Sequence, residues 1–433
     1  MGAGETQRCR LRLLHYRCNI LKNFLPQPTR LAFLHHLCDV NYKFYRPQDP
    51  AFKLLFDILA SILTPFWGGM RVLLIAQYGP LAASSRTRVF QYLPYLEAAG
   101  IKTEIKVVIP DQLVTRFGHR GAASRLLYYV VSFLRTVWVG WRCIGLIPSF
   151  DRVLIQKILF PRPIVYLLRK YRAKIVYDFD DAIFTTEESR SLLGRIGSWR
   201  RGNGLPRMLA CSETVIVENE YTASYARQFC DRVETITGPI DTDRFSPRDK
   251  PVRDVVVLGW IGSTTTTAYL AGILESIERV VKARPNVSLR LVGALPFETD
   301  QIVVEQFDWS IESEVDYLAG FDIGLMPLPD DLWTRGKGGY KLLQYGAMGL
   351  PVVASPVGVN SQIVEDGVTG FLVDSEEAWM ERILCLVDDA GLRARMGQAG
   401  RERMVEQYSL ARGGRKFVRI LCENLKNHRP AHL

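Results

Sequence analysis

The sequence predicts an α/β fold: two tandem Rossmann-like domains with a deep interdomain cleft, plus an N-terminal helical extension. Three observations carry that prediction. From Met70 onward, short apolar runs rich in β-branched residues alternate with helix-like stretches. A second cycle restarts at Asp254-Val255-Val256-Val257-Leu258-Gly259-Trp260-Ile261-Gly262. The connection between the cycles, Gly238-Pro239-Ile240-Asp241 through Pro247-Arg248-Asp249-Lys250-Pro251, is polar and broken by prolines, as linkers are. The chain has 433 residues, 48% apolar and 23% charged, which suffices for two cores and excludes disorder or a small disulfide scaffold.

Met70-Arg71-Val72-Leu73-Leu74-Ile75-Ala76, leading into Tyr78-Gly79-Pro80, reads as a buried opening strand and its turn. Further strands are expected at Lys106–Ile109, Arg152–Ile155, Lys174–Tyr177 and Thr214–Val217. After the opening strand of the second cycle come Val287–Val292, Phe321–Met326 and Pro351–Ala354. The expected division is a basic extension over 1–69, a first domain over 70–248, a second over 249–407, and a C-terminal helix and tail over 408–433. The extension is broken by prolines at 26, 28, 47, 50 and 65. Its reading stays open between an accessory segment that lies on lipid and a start codon set too far upstream. Parallel sheets bind ligands at their strand C-terminal ends, and pockets favour domain interfaces, so a ligand is expected in the cleft.

Charge is distributed unevenly. Residues 1–69 carry a net +5, residues 70–245 a net +9 and residues 246–433 a net −4. A basic first half suits an anionic substrate or an anionic membrane surface. No zinc-finger spacing or aromatic RNA-binding motif accompanies it, so no nucleic acid is expected as a partner. Charge-free runs fall short of the ~18–20 apolar residues of a spanning helix, so no transmembrane segment is predicted. Met1 is not followed by an export signal, and the expected location is cytoplasmic, peripheral on the inner membrane face. Between Arg125 and Ile147, Tyr128, Tyr129, Phe133, Trp138 and Trp141 stand among few charges. That pattern fits an interfacial helix or, as the preferred reading, a crossover helix packed on the sheet. The eight cysteines form no CxxC pair and read as buried reduced thiols, and the six histidines avoid the second domain's core. Neither a metal site nor a Ser-His-Asp arrangement is expected.

Two segments carry chemistry. Gly262-Ser263-Thr264-Thr265-Thr266-Thr267 follows a strand and precedes apolar residues at helical spacing, so Gly262 and Ser263 are placed at a helix start, where a phosphate can bind or a plain Ser/Thr cap can stand. Arg335-Gly336-Lys337-Gly338-Gly339-Tyr340-Lys341-Leu342-Leu343-Gln344 combines glycines, which allow close approach to a ligand, with two lysines at the start of a helix expected near Tyr340. Cations at a helix N-terminus are unfavourable, so an anion should compensate Lys337 and Lys341, and a diphosphate is the natural candidate.

From Phe321-Asp322-Ile323-Gly324-Leu325-Met326-Pro327-Leu328 through that segment to Pro351-Val352-Val353-Ala354-Ser355-Pro356-Val357-Gly358 and Asp366-Gly367-Val368-Thr369-Gly370-Phe371, the chain resembles the donor-binding domain of family 4 glycosyltransferases, which have the GT-B fold. The resemblance spans about residues 70–425 and is looser in the first half. It implies a nucleotide-diphosphate sugar as substrate, a lipid-linked or saccharide acceptor, retention of anomeric configuration, and usually no metal or other cofactor. On the donor side it implies roles for Gly262, Ser263, Gly338, Gly339, Tyr340, Gln344, Val357 and Gly358. Many relatives have two glutamates at the positions of Gly336 and Gln344, the second bonding the ribose; Gln344 can still accept from a hydroxyl but brings no charge. Lys341 carries over as a diphosphate contact, with Lys337 as its partner.

In the first domain, Asp178-Phe179-Asp180-Asp181 follows a strand. Asp180 and Asp181 are read either as lining the cleft near the transferred sugar or as a structural cap. Arg86 and Arg88 are candidates for holding an anionic acceptor or the departing diphosphate, with ordinary surface arginines as the alternative. Asn219 is an acceptor-side candidate. Departure of a diphosphate needs charge stabilisation, which Lys337 and Lys341 supply. The alternatives are an epimerase or phosphorylase on the same fold and, from another class, a basic nucleic-acid-binding protein.

Overall fold

The computed structural model describes residues 69–117, 122–185, 192–249, 253–297 and 299–423. These belong to one compact unit, Trp67–Leu433. The basic extension expected over 1–69 lies, apart from Gly69, outside the described residues, as does the end of the tail from 424.

Two six-stranded sheets, every pairing in them parallel, form the frame. The first is ordered β2-β1-β3-β4-β5-β6, with β1 at Arg71–Tyr78, β2 at Lys102–Ile109, β3 at Arg152–Gln156, β4 at Ile175–Asp178, β5 at Thr214–Val217 and β6 at Val233–Thr235. The second is ordered β12-β11-β10-β7-β8-β9, with β7 at Val256–Ile261, β8 at Val287–Val292, β9 at Val304–Phe307, β10 at Ile323–Met326, β11 at Val352–Ala354 and β12 at Gly370–Leu372. The central strands are buried on both faces, which is why they read as continuous apolar runs such as Val72–Ala76. The edge strands β6, β9 and β12 were not expected. They are three or four residues long, and β9 has exposed Glu305 and Gln306 at its centre, so no apolar run marks them.

Of the helices, α1 (Ala83–Arg88), α2 (Ala122–Leu146), α3 (Arg162–Leu168) and α4 (Glu220–Ala226) cover the first sheet. In the second domain, α5 (Glu314–Ala319) and α6 (Tyr340–Ala347) lie beside the strand ends that face the cleft. The continuous helix expected after Gly262 is instead a 3₁₀ turn at Thr264–Thr266, a single helical turn at Ala268–Ala271, and a separate helix at Leu274–Ala283. Gly272 closes the single turn, and Ser263 and Thr266 bond each other's backbone in a capping box. The helix dipole available at Gly262 is correspondingly short. Cys143, Cys211, Cys230 and Cys422 are buried thiols, whereas Cys385 is exposed, because its helix turns Ile383 and Leu386 inward instead.

The last helix, α7 (Leu410–Cys422), returns to the first domain. Its Phe417 stacks on Tyr92 with ring centroids 4.1 Å apart, and Ile420 and Leu421 join Val72, Leu74 and Leu154 in the same core. The chain therefore crosses between the domains twice. The two crossings are bonded side by side, the Ile240 amide donating to the Tyr408 carbonyl at 2.9 Å and the Leu410 amide to the Ile240 carbonyl at 2.7 Å. Phe417→Ala removes a fully buried ring from this return and is expected to cost about 3–5 kcal/mol of stability, measured as a lower denaturant midpoint.

Candidate active site

The wall contributed by the first domain is built at the C-terminal ends of β1, β3, β4 and β5. Leaving β4, Asp178 takes a two-pronged bond from Arg88, Nε to Oδ1 at 3.0 Å and Nη2 to Oδ2 at 2.6 Å, and Arg88 also donates to the Ile236 carbonyl at 2.8 Å. Arg88 is fully buried, so its expected role as an anion holder is corrected to a structural one: Asp178 and the carbonyl take a donor from each of its three nitrogens, and Glu218 lies 3.6 Å from Nη1. Asp180 and Asp181 share Lys157, whose Nζ lies 2.7 Å from Asp180 Oδ1 and 3.3 Å from Asp181 Oδ2. Burial alone would depress the Lys157 ammonium, but the two carboxylates outweigh it and hold it well above its usual value. Burial raises Asp180, yet Lys157 draws it below the ordinary carboxylate range. Lys157 and Asp181 both hold left-handed backbone, with φ of 58° and 56°, a conformation that costs a non-glycine residue about 1–2 kcal/mol. The ion triad is what holds them there.

Glu218 follows β5 directly and belongs to the same charge cluster. Burial pushes its carboxyl up to about 8, against the pull of the Arg88 guanidinium 3.6 Å away, with Asp180, Asp181 and Asp178 adding to the rise. The next residue, Asn219, caps α4: its side chain accepts from the Thr222 amide at 2.9 Å, and Thr222 returns the bond. Arg86 leaves α1 toward the second domain, donating to the Leu81 carbonyl at 3.1 Å and lying over the Trp309 ring at 5.0 Å.

The opposing wall comes from the end of β7 and the start of α6. The helix begins at Tyr340 because Gly339, with φ of 67°, turns the chain in as its cap. Lys341 lies one residue into the helix with its Nζ 4.3 Å from the centroid of Trp260, a β7 residue. Among the described residues no carboxylate pairs with it. Burial, then the neighbouring Lys337, lowers its ammonium to about 7. Lys337 does have a counter-ion, Asp181 Oδ1 at 3.2 Å, and lies over the Trp333 ring at 4.9 Å. Gln344 faces Glu314 of α5, Nε2 to Oε2 at 3.4 Å, and Glu314 is also held by Trp309 Nε1 at 2.9 Å and Arg244 at 2.8 Å. Tyr340 has its phenol raised by burial and by Glu314. Val357 is packed in the second domain's core, and Gly358 lies against the Arg335 carbonyl. Ser263 stays exposed at the rim beside Gly262.

The walls touch through the glycine segment. Asn219 Nδ2 donates to the carbonyls of Lys337 at 3.1 Å and Arg335 at 3.4 Å. A Cβ on Gly336 would fall 2.4 Å from Ala182 Cβ, and one on Gly338 would fall 2.0 Å from a Glu218 carboxyl oxygen. The structure thus brings Asp180, Asp181, Asn219, Lys337 and Gly338 together, with Lys341 and Gly262 against Trp260 on the second wall and Gly339 packed on Val359 and Ile363. Sequence reading missed Lys157, Glu218, Trp260 and Glu314. The first two are charged residues at the C-terminal ends of parallel strands, and that position was the available signal.

Two doubly wound parallel sheets facing each other across such a cleft define the GT-B class of glycosyltransferase fold. Sucrose-phosphate synthase of Thermosynechococcus elongatus shares it with a TM-score of 0.59 at 15% identity, covering 81% of this chain and 98% of that one. An Anabaena protein crystallised with UDP and glucose shares it with a TM-score of 0.56 at 14% identity, covering 81% and 99%. Within that class, residues 255–389 match the glycosyl transferases group 1 family. A GDP-mannose-dependent monoacylated alpha-(1-6)-phosphatidylinositol monomannoside mannosyltransferase of Corynebacterium glutamicum is 28% identical over 217 residues, 43% of this chain and 55% of that protein. The chain spans about half the length of the curated relatives it matches.

Lys157→Met leaves Asp180 and Asp181 without their shared cation and is expected to lower stability by roughly 3 kcal/mol, read by urea unfolding. Asp181→Asn should cost less, because Lys157 keeps Asp180.

Proposed function

We propose that the protein is a retaining glycosyltransferase of the family 4 kind, moving a sugar from a nucleotide-diphosphate donor to a lipid-linked or saccharide acceptor at the cytoplasmic face of a membrane. One observation carries this reading. Lys341 is a partly buried ammonium over the Trp260 ring, set at a helix N-terminus, and without a carboxylate partner among the described residues. Such a charge is costly unless an anion arrives, and a diphosphate meets both the lysine and the free amides of the helix start. The relatives' names speak of glycolipid and capsular polysaccharide synthesis, which supports the choice of acceptor class.

In this reading the bond between the anomeric carbon and the diphosphate oxygen breaks, and its electron pair moves onto that oxygen. Lys341 neutralises the growing charge, with Lys337 contributing as it shares its proton donors between Asp181 and the phosphate. The acceptor oxygen bonds to the anomeric carbon on the same face, and its proton passes to the departing phosphate. Gln344 accepts from a ribose hydroxyl while Glu314 holds its amide. Gly262 gives the phosphates an approach past Trp260, on whose ring a Cβ would fall at 2.3 Å.

Lys341→Ala is expected to lower transfer by at least about 100-fold, as loss of a charge-stabilising donor does, with the melting temperature unchanged or raised. Wild-type turnover in that variant removes Lys341 from the reaction. The pH dependence has a definite sign. In the free protein Lys341 loses its proton near 7 and the bound anion needs it charged, so donor affinity is full below pH 7. It falls by about tenfold per pH unit above that value. Calorimetric titration of a nucleotide-diphosphate sugar between pH 6 and pH 8.5, roughly one unit either side of that value, measures the slope, and Lys341→Met should flatten it.

A further inference from the structure

Helix α2 is built inside out for a helix of a water-soluble surface. The residues it turns toward the protein include Ser132, Thr136 and Gly140 together with Val139 and Cys143, whereas Leu126, Val130, Leu134, Trp138 and Trp141 face outward, each between 47% and 59% exposed. A surface helix ordinarily shows the reverse pattern. The small inner residues let α3 pack closely: a Cβ on Gly140 would fall 2.8 Å from Ile164 of α3. By length and composition, Leu126–Ser149 is long and apolar enough to cross a membrane, which the charge-free runs did not suggest. Its inner face is committed to the sheet and to α3, so only the outer one is available.

The segment that carries this face is strongly basic. From Gln112 to Tyr177 the chain contains twelve lysines and arginines and a single acidic residue, Asp151. Exposed Arg142 stacks on Trp138 at 4.9 Å, and Arg162, Arg169 and Lys170 are exposed on or just after α3, next to Tyr166 at 69% exposure. Aromatic rings mixed with an excess of cations match an interface whose outer layer is anionic and whose inner layer is hydrocarbon. At the other end of α2, Tyr128 closes a concavity with Tyr78, Leu81 and Val114, whose polar members are Asp111 and Thr115, beside the C-terminal end of β1. That end belongs to the edge of the sheet from which the cleft wall is built.

We propose that the outward face of α2 seats the protein in the plane of an anionic lipid bilayer, with the Tyr78–Tyr128 concavity between that surface and the cleft. The surface deepens the glycosyltransferase reading and rests on it for its purpose, delivery of a lipid-linked acceptor; its geometry stands independently. The test is flotation of the full chain with vesicles of phosphatidylcholine alone or with roughly one-third phosphatidylglycerol. The protein should float with the anionic vesicles, and the triple variant Leu134→Ser/Trp138→Ser/Trp141→Ser should bind at least tenfold more weakly. Arg142→Glu/Lys170→Glu, which keeps the apolar face, should lose the preference for phosphatidylglycerol. Equal flotation of wild type and triple variant overturns the proposal. So does absence of flotation, and so does a concentration-dependent dimer that the triple variant abolishes, which would assign the face to a second copy. Circular dichroism melting confirms that the variants fold. Nucleotide-sugar affinity measured in parallel separates the two ideas: a triple variant that keeps wild-type affinity but no longer floats supports the surface, and a wild type that floats but binds no nucleotide sugar removes only the donor reading.

Discussion

The strip Gly336-Lys337-Gly338 lies against the first domain only because no Cβ stands between them. Ala182 occupies the space above one glycine and Glu218 the space above the other, so the backbone itself forms the contact and Lys337 is delivered to Asp181. Asn219 then reads the strip through two carbonyls, which any side chain would leave in place but which a wider separation would put out of reach. The first domain's charge network is arranged around this approach. Lys157 gathers Asp180 and Asp181, and Arg88 takes Asp178 with Glu218 3.6 Å away on its other side.

On the second wall the charges balance differently. Lys337 has a carboxylate and Lys341 has an aromatic face, and that difference separates a cation that helps join the domains from one kept available. Trp260 favours a cation over its ring without neutralising it. The lysine that remains uncompensated is the one at the helix entrance, beside the end of the central strand of a parallel sheet, where ligands of this architecture bind.

Much of the frame was legible in the sequence. Thr214–Val217 and Val287–Val292 are strands residue for residue: the first is buried along its length, and the second alternates Val287, Leu289 and Leu291 with Ser288 and Arg290, the period of two that a strand gives. The start of α6 was legible too, since glycine before a run of helix formers states where a chain turns in. Edge strands such as β9 carry no such constraint. In the site, Lys341 and the glycines could be read locally, whereas Arg88 could not. Whether an arginine reaches solvent or a buried aspartate ninety residues later depends on which strands become neighbours, as β1, β3 and β4 do here. Lys157 and Glu218 are invisible for the same reason: each is defined by partners from other strand ends.

The paired crossings at Ile240 and Ser409 carry one more consequence. A single connecting segment would let one lobe swivel about any direction, but two segments fastened together at one edge act as the pins of a door. Two bonded segments leave the lobes fewer ways to swivel than a lone one would. The seat of the glycine strip on Ala182 and Glu218 is a second tie between the same two lobes.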